Sequence, residues 1–237
     1  MRNFFAEPSQ IQEDWIELDR AEVHHARDVL RLPAGAPVRV IDGRGAIYQG
    51  IFDPGTGRVR VQQTDAAKPF TCGVTLAVAL LKGEQWDWFL EKSVEIGVSR
   101  IVPLITERGV VKLREREFEK KRNRWRQIAI SALKQSGQAF LPHVEKPVSL
   151  ETICGAEGNS PGARWILSER GGASLKAVLV PDLKHITLLV GPEGGWSKGE
   201  LRAATDEGFE PVSLGSQVLR AETAPIYALS VIRYVTG

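Results

Sequence analysis

The 237-residue sequence has no apolar run near the roughly 18–20 residues that a membrane-spanning helix needs. The opening stretch MRNFFAEPSQ lacks the apolar core of a secretory signal, so a cytoplasmic location is expected. Cysteine is scarce: Cys72 and Cys154 stand alone, without the spacing of metal ligands. A reduced compartment suits them best, although two cysteines can in principle pair. The four histidines, His24, His25, His143 and His185, also lack metal spacing, and no metal is expected. His24 and His25 are adjacent and would project about 100° apart on a helix, a poor arrangement for joint ligands. No Gly-x-Gly-x-x-Gly follows a strand, and no Gly-x-x-x-x-Gly-Lys-Ser/Thr occurs, which excludes two common nucleotide architectures. The absence of a Gly-x-Ser-x-Gly elbow argues against one large class of hydrolases. Internal repeats and low-complexity tracts are missing as well.

What is present is ordinary in bulk and uneven in detail. Hydrophobic residues make up 43% and charged residues 25%, as in a soluble globular protein. The net charge of +2 conceals a basic middle: residues 71–150 carry 14 Lys/Arg against 9 Asp/Glu. Residues 1–70 carry 9 against 10, and residues 151–237 carry 8 against 10. Much of the excess lies in KLREREFEKKRNRWRQ, residues 112–127. Two readings fit this run. It is an electrostatic footprint for a polyanion such as RNA, or a solvated helix face of alternating charge pairs.

Residues 1 to about 68 read as β-rich. PVRVIDGRGAIYQGIFD holds two strands around an Asp-Gly-Arg-Gly turn, and GRVRVQQT continues with Val59 and Val61 on one face. A helix in EVHHARDVLRL places Val23, Ala26, Val29 and Leu30 on one face, with Pro33 and Gly35 as its stop. AAKPFTCG, residues 66–73, reads as a linker. From residue 74 strands and helices alternate. VTLAVALL, RIVPLI, RWILSE, HITLLVG and EPVSLGS are strands by composition. EQWDWFLEKSVEIG is a helix capped by Gly97. REREFEKKRNRWRQIAISALKQSG is a long helix with a stripe of Trp125, Ile128, Ala129, Ala132 and Leu133. SKGELRAATDEG starts with a capping box, Ser197 and Glu200, and AETAPIYALSVIRYV closes as an apolar helix. The alternation predicts a mostly parallel sheet covered on both faces.

Ligands of open α/β sheets bind beyond the carboxyl ends of the strands. Three such ends are punctuated unusually: LSERGG, VGPEGG and LGSQVLRAETA. Each alone reads as an ordinary turn; three in one third of the chain point to a shared pocket. LLVGPEGGWSKGE followed by VSLGSQVLRAETAPIYAL resembles the hallmark of the ribosomal small-subunit RNA uridine-N3 methyltransferase family, part of the SPOUT superfamily. HHARDVLRLPAGAPVRVIDGRGAIYQGIF resembles that family's PUA-like domain, and KGEQWDWFLEKSVEIGVSRIVPLITERGV its middle motifs. The sequence departs from the family pattern at Gly109, Lys134, Gln138 and Gln217.

The resemblance implies a small β-rich PUA-like barrel in residues 1–70 and an α/β SPOUT domain in residues 71–237, with a trefoil knot in about 165–237. It implies S-adenosylmethionine as cofactor. Leu167 and Ser168 would form one wall of its pocket; Val190, Gly191, Pro192, Glu193, Gly194 and Gly195 another. Leu214, Gly215, Ser216, Val218, Leu219 and Arg220 would form a third, with Thr223 and Ala224 beside it. The expected partners are 16S ribosomal RNA and a second copy of the chain. RNA contacts would come from Arg2, Arg27, Arg31, Lys82, Lys92, Arg108 and Trp196, with Arg44 a further candidate. Trp196 has two readings, a base-stacking ring or a core or dimer aromatic. Uridine N3 must lose a proton to become nucleophilic, which spreads negative charge over O2, N3 and O4. Arg220 is the expected cation for that charge. Glu222 or Glu193 would be the base or orient Arg220; Glu222 equally suits the N-terminus of the last helix. Another target, such as a ribose 2′-hydroxyl, and a noncatalytic assembly factor are the competing readings.

Overall fold

The computed structural model describes residues 1–111, 115–158, 161–169 and 171–237, with residues 115 and 116 by backbone alone. The opening of the basic run, residues 112–114, and the arginine of LSERGG, residue 170, lie outside the described residues. The chain divides into two compact units, Met1–Pro69 with Ile130–Leu141, and Phe70–Ala129 with Pro142–Gly237.

The first unit contains β1 (Arg2–Phe5), β2 (Trp15–Glu17), α1 (Arg20–His24), β3 (Ala36–Ile41), β4 (Ala46–Asp53) and β5 (Arg58–Ala66). Its sheet runs β1-β3-β4-β5-β2, with β1 parallel to β3 and the other pairs antiparallel. β1 and β2 form the two edges, so the expected barrel is a half-barrel. The β3–β4 hairpin turns where predicted. Asp42 accepts from the Arg44 and Ala46 amides at 2.7 and 3.0 Å, and Gly43 and Gly45 supply the left-handed backbone. Phe4, Ile16, Val38, Val40, Phe52 and Val59 fill the core. Residues 130–141 belong here as well. The Gly45 amide donates to Ala139 at 3.0 Å, the Leu141 amide to Gly43 at 2.9 Å, and the Lys134 ammonium pairs with Glu22. Burial pushes the Glu22 carboxyl up despite that partner.

The predicted helix in this unit needs a correction. Asp19 caps α1, but His25–Val29 form a π turn, closed by the Leu30 amide on the His25 carbonyl at 2.9 Å. The wider turn rotates Val29 off the apolar face, and it is 58% exposed. Arg31, at φ 52°, ends the segment before Pro33.

The second unit contains β6 (Gly73–Ala79), α2 (Gly83–Ile96), β7 (Arg100–Ile105) and the start of α3 (Glu115–Ser136). There follow β8 (His143–Val144), β9 (Val148–Ser149), α4 (Leu150–Glu157), β10 (Ala163–Leu167), β11 (Ala173–Ser174) and α5 (Leu175–Val178). β12 (His185–Val190), α6 (Lys198–Asp206), β13 (Glu210–Ser213) and α7 (Thr223–Thr236) complete it. The sheet order is β11-β13-β10-β12-β6-β7-β8, with β9 also on β7, and every pairing is parallel. Successive strand residues alternate between two cores. Leu76, Val78, Leu188 and Val190 join Trp86, Phe89 and Leu229 of α2 and α7 on one side. Ala77, Val102 and Leu189 join Ile153, Cys154 and Ala204 of α4 and α6 on the other. Cys72 and Cys154 are both buried and unpaired.

Two polar features fix this layering. One row across the strand starts, Arg164–Thr187–Thr75–Arg100, lies in register. Glu157 serves it, accepting from Arg100 at 2.6 Å and Thr187 at 3.2 Å, while its carbonyl accepts from Arg164 at 3.4 Å. At the far end of α7, buried Arg233 donates to the Gly97 carbonyl at 3.0 Å and the Cys72 carbonyl at 2.6 Å, under the Phe70 ring at 4.0 Å. Burial lowers its pKa.

Candidate functional site

An all-parallel sheet puts every strand's carboxyl end at one edge. Here the loops after β10, β12 and β13 enclose a cavity of about 620 Å³, with Gln85 from the first turn of α2 and Arg108 from the loop after β7. That volume lies in the range of small-molecule sites.

The glycines of the β12 loop have distinct tasks. A Cβ on Gly191 would stand 3.0–3.2 Å from the Trp196 indole, so the ring packs closely on the bare glycine backbone. Gly195, at φ 65°, closes a turn with its amide on the Pro192 carbonyl at 2.8 Å. Trp196 Nε1 donates to the Leu167 carbonyl at 2.9 Å, bracing the end of β10 against this loop. The Ser168 amide donates to Val212 at 2.9 Å, joining the ends of β10 and β13. Gly215, at φ 130°, turns the third loop, and its amide donates to Ser213 Oγ at 3.2 Å.

Three of the charged residues are anchored at this edge. Arg220 is exposed at the cavity, while its carbonyl accepts the Thr223 and Ala224 amides at 2.9 Å and so starts α7. Glu222, half-buried, accepts from Gln85 Nε2 at 3.4 Å. Arg108 donates to the Gly194 carbonyl at 2.9 Å. Ser197 and Glu200 form the predicted capping box at the start of α6. The lining holds Arg108, Lys198 and Arg220, and also Glu169, Glu193 and Glu222. Leu167, Val190, Leu214 and Leu219 add apolar surface. Such a set suits a ligand with an apolar ring and charges of both signs. Among the described residues no group of three or more His, Cys, Asp or Glu could hold a metal ion.

Of the residues singled out in the sequence, Leu167, Ser168, the run Val190–Gly195, Leu214, Gly215, Val218, Leu219, Arg220, Glu222 and Ala224 all line this cavity, as do Arg108 and Trp196. Val218 is 74% exposed at its rim. Ser216 and Thr223 are not in the lining. Lys82 stands at the N-cap of α2, and the Lys92 amine lies on Glu91 and Glu95 at 2.7 and 2.8 Å. Arg2, Arg27 and Arg31 belong to the first unit and are exposed, Arg27 on Asp28 at 3.0 Å. Gln85, Lys198 and Leu201 line the cavity without having been expected. The sequence signal for Gln85 was the strand-to-helix join after β6, a fourth carboxyl end.

Residues 68–233 match the RNA methyltransferase domain family, and residues 18–62 match the RNA methyltransferase PUA domain family. The chain is 34% identical over 240 residues to ribosomal RNA small subunit methyltransferase E of Synechocystis sp., spanning 95% of this chain and 75% of that protein. It is 30% identical over 249 residues to the Bacillus subtilis protein of the same name, spanning 100% and 97%. Among solved structures, a ribosomal RNA small subunit methyltransferase E from Neisseria gonorrhoeae, bound to S-adenosyl methionine, has a TM-score of 0.88 and 28% identity over 100% of this chain and 98% of that one. A Legionella pneumophila protein solved with SAM as bound cofactor has a TM-score of 0.88 and 31% identity, over 99% and 98%.

Proposed function

Because the chain belongs to the RNA methyltransferase family that includes ribosomal RNA small subunit methyltransferase E, we propose that it methylates N3 of a uridine in 16S ribosomal RNA, using S-adenosylmethionine. The observation that carries this reading is the cavity itself, where backbone-rich loops meet Arg220 and Glu222. Its lining suits the cofactor: apolar side chains for an adenine ring, carboxylates for the sulfonium and ammonium, and cations for the carboxylate. When bound, the cofactor supplies an electrophilic methyl group.

The chain's own residues supply position and charge. Arg220, fixed at its backbone by the start of α7, meets the negative charge that uridine develops as N3 is deprotonated. Glu222, held by Gln85, takes the N3 proton or orients Arg220, with Glu193 as the other candidate. N3 lies on the pairing edge, so the target base must be unpaired or flipped out. Arg108 and Trp196 at the cavity, with Lys82 and Lys92, and Arg2, Arg27 and Arg31 in the PUA-like unit, are the proposed RNA contacts.

The dimer belongs to the same proposal. Exposed Trp88 on α2 and Tyr227 and Tyr234 on α7 give it aromatic rings on two helices that pack together. The return of α7 from β13 to α2 and β6 supports the knot expected of residues 165–237. A ribosomal substrate implies the cytoplasm; no helix among the described residues is long and apolar enough to cross a membrane.

The test is nucleoside mass spectrometry of small subunits lacking the modification, incubated with the protein and S-adenosylmethionine. New N3-methyluridine, absent with Arg220→Ala, supports the reading. A ribose-methylated product replaces the target. Subunit binding without any methylated product points to an assembly factor.

A further inference from the structure

A capping box uses one carboxylate oxygen, and Glu200 uses both. Its Oε2 accepts from the Ser197 amide at 2.9 Å, which completes the cap of α6. Its Oε1 accepts from the Glu107 amide at 2.8 Å, in the loop after β7, 93 residues away in sequence. The side chain is buried, with 4% of its surface exposed. A buried carboxylate needs donors for its lone pairs, and two backbone amides near a helix N-terminus supply them.

The neighbouring residue returns the tie. Arg108 donates to the Gly194 carbonyl at 2.9 Å. Adjacent residues of one loop are thus bonded to two points of the other, Gly194 and the helix start just beyond Trp196. Two such bonds fix both position and tilt; one would leave a hinge. The loop so held runs close on itself, with the Gly109 amide on the Thr106 carbonyl at 3.2 Å and Thr106 Oγ1 buried without a partner. It presents Arg108 to the cavity. The other loop carries the Gly191–Trp196 wall.

We propose that Glu200 is a positioning residue for the cofactor cavity, holding the loop after β7 against the Gly191–Trp196 wall through the Glu107 amide. The proposal rests on the methyltransferase reading for its kinetic consequence, and on hydrogen exchange alone for its structural one. Glu200→Gln keeps the size but turns one acceptor into a donor that faces an amide N–H. It raises the KM for S-adenosylmethionine about tenfold, the loss expected for one charge-assisted hydrogen bond, and leaves kcat within about twofold. Amide exchange in residues 106–109 of the cofactor-free protein speeds up. Ser197→Ala removes the reciprocal bond, Glu200 amide to Ser197 Oγ at 3.1 Å, and spares the tie to Glu107. It lowers the melting temperature, with the KM within about twofold. Should Glu200→Gln fail to fold, Glu107→Pro deletes the single donor and carries the same comparison. If Glu200→Gln matches Ser197→Ala in KM, the proposal is overturned. Unchanged exchange in residues 106–109 overturns it too, whatever the chemistry. If the wild type transfers no methyl group, the functional reading fails while the exchange result still decides the tie.

Discussion

The two edges of the parallel sheet use charge in opposite ways. At the strand starts, Arg100 is answered by Glu157 at 2.6 Å and Glu145 at 3.1 Å, and Glu157 also serves Thr187. At the carboxyl ends, Lys198, Glu193 and Arg220 face the cavity and, among the described residues, form no salt bridge. The strands are common to both edges, so the difference is in the loops. The first edge spends its charges on one another and gains rigidity. The second is braced by the Trp196 indole and by Arg108 and Glu200 bonded to main-chain groups, which leaves Lys198, Glu193 and Arg220 for a visitor. Stability and reactivity are thus separable along the length of a single strand.

The comparison can be broken first at the open edge. Arg220→Ala should lower kcat by about 10²–10³, as for removal of one donor to developing negative charge. The melting temperature should hardly move, because the side chain is exposed. Initial rates and a thermal melt decide it; a large loss of stability would end the separation. At the closed edge the reverse is expected. Glu157→Ala strips Arg100 and Thr187 of their shared acceptor and should cost about 2–3 kcal/mol in denaturant unfolding. That is below the cost of a fully buried pair because Arg100 is 33% exposed. Activity per folded molecule should stay at the wild-type level.

Gly191→Ala sharpens the contrast from within the open edge. Its Cβ would meet the Trp196 ring at 3.0–3.2 Å, which pushes the indole against its bond to the Leu167 carbonyl. Strain of about 1–2 kcal/mol is expected, read as weaker cofactor binding in a calorimetric titration. The smallest effect belongs to the packed side, where α4 turns Cys154 inward. Burial pushes this thiol from its ordinary value of 9.0 up to about 12. The raised group contributes stability that is full below pH 9 and lost as pH rises toward 12. Unfolding monitored across pH 8 to about 11 should show that decline, and Cys154→Ala should flatten it.

Much of the layout was legible. The alternation of strands and helices predicted the parallel sheet, and a parallel sheet gathers its loops at one edge. Gly97 and the Ser197–Glu200 pair marked helix ends because capping is local chemistry. Most of what escaped depends on partners distant in sequence, and one feature is local. Val29 leaves its face because of a π turn, which periodicity at 3.6 residues does not register. The short strands β8, β9 and β11 are two residues each, held by neighbours rather than propensity. Gln85 and Lys198 reach the cavity only through strand order. The second oxygen of Glu200 finds an amide 93 residues away, which no local motif encodes.

Both thiols of this chain lie inside packed cores, so near neutral pH the folded protein offers a maleimide no thiol to alkylate. A single Val218→Cys, at a rim position that is 74% exposed, would then be the one accessible thiol. A fluorophore placed there would report arrivals at the cavity against a silent background, with no need to remove a native cysteine first.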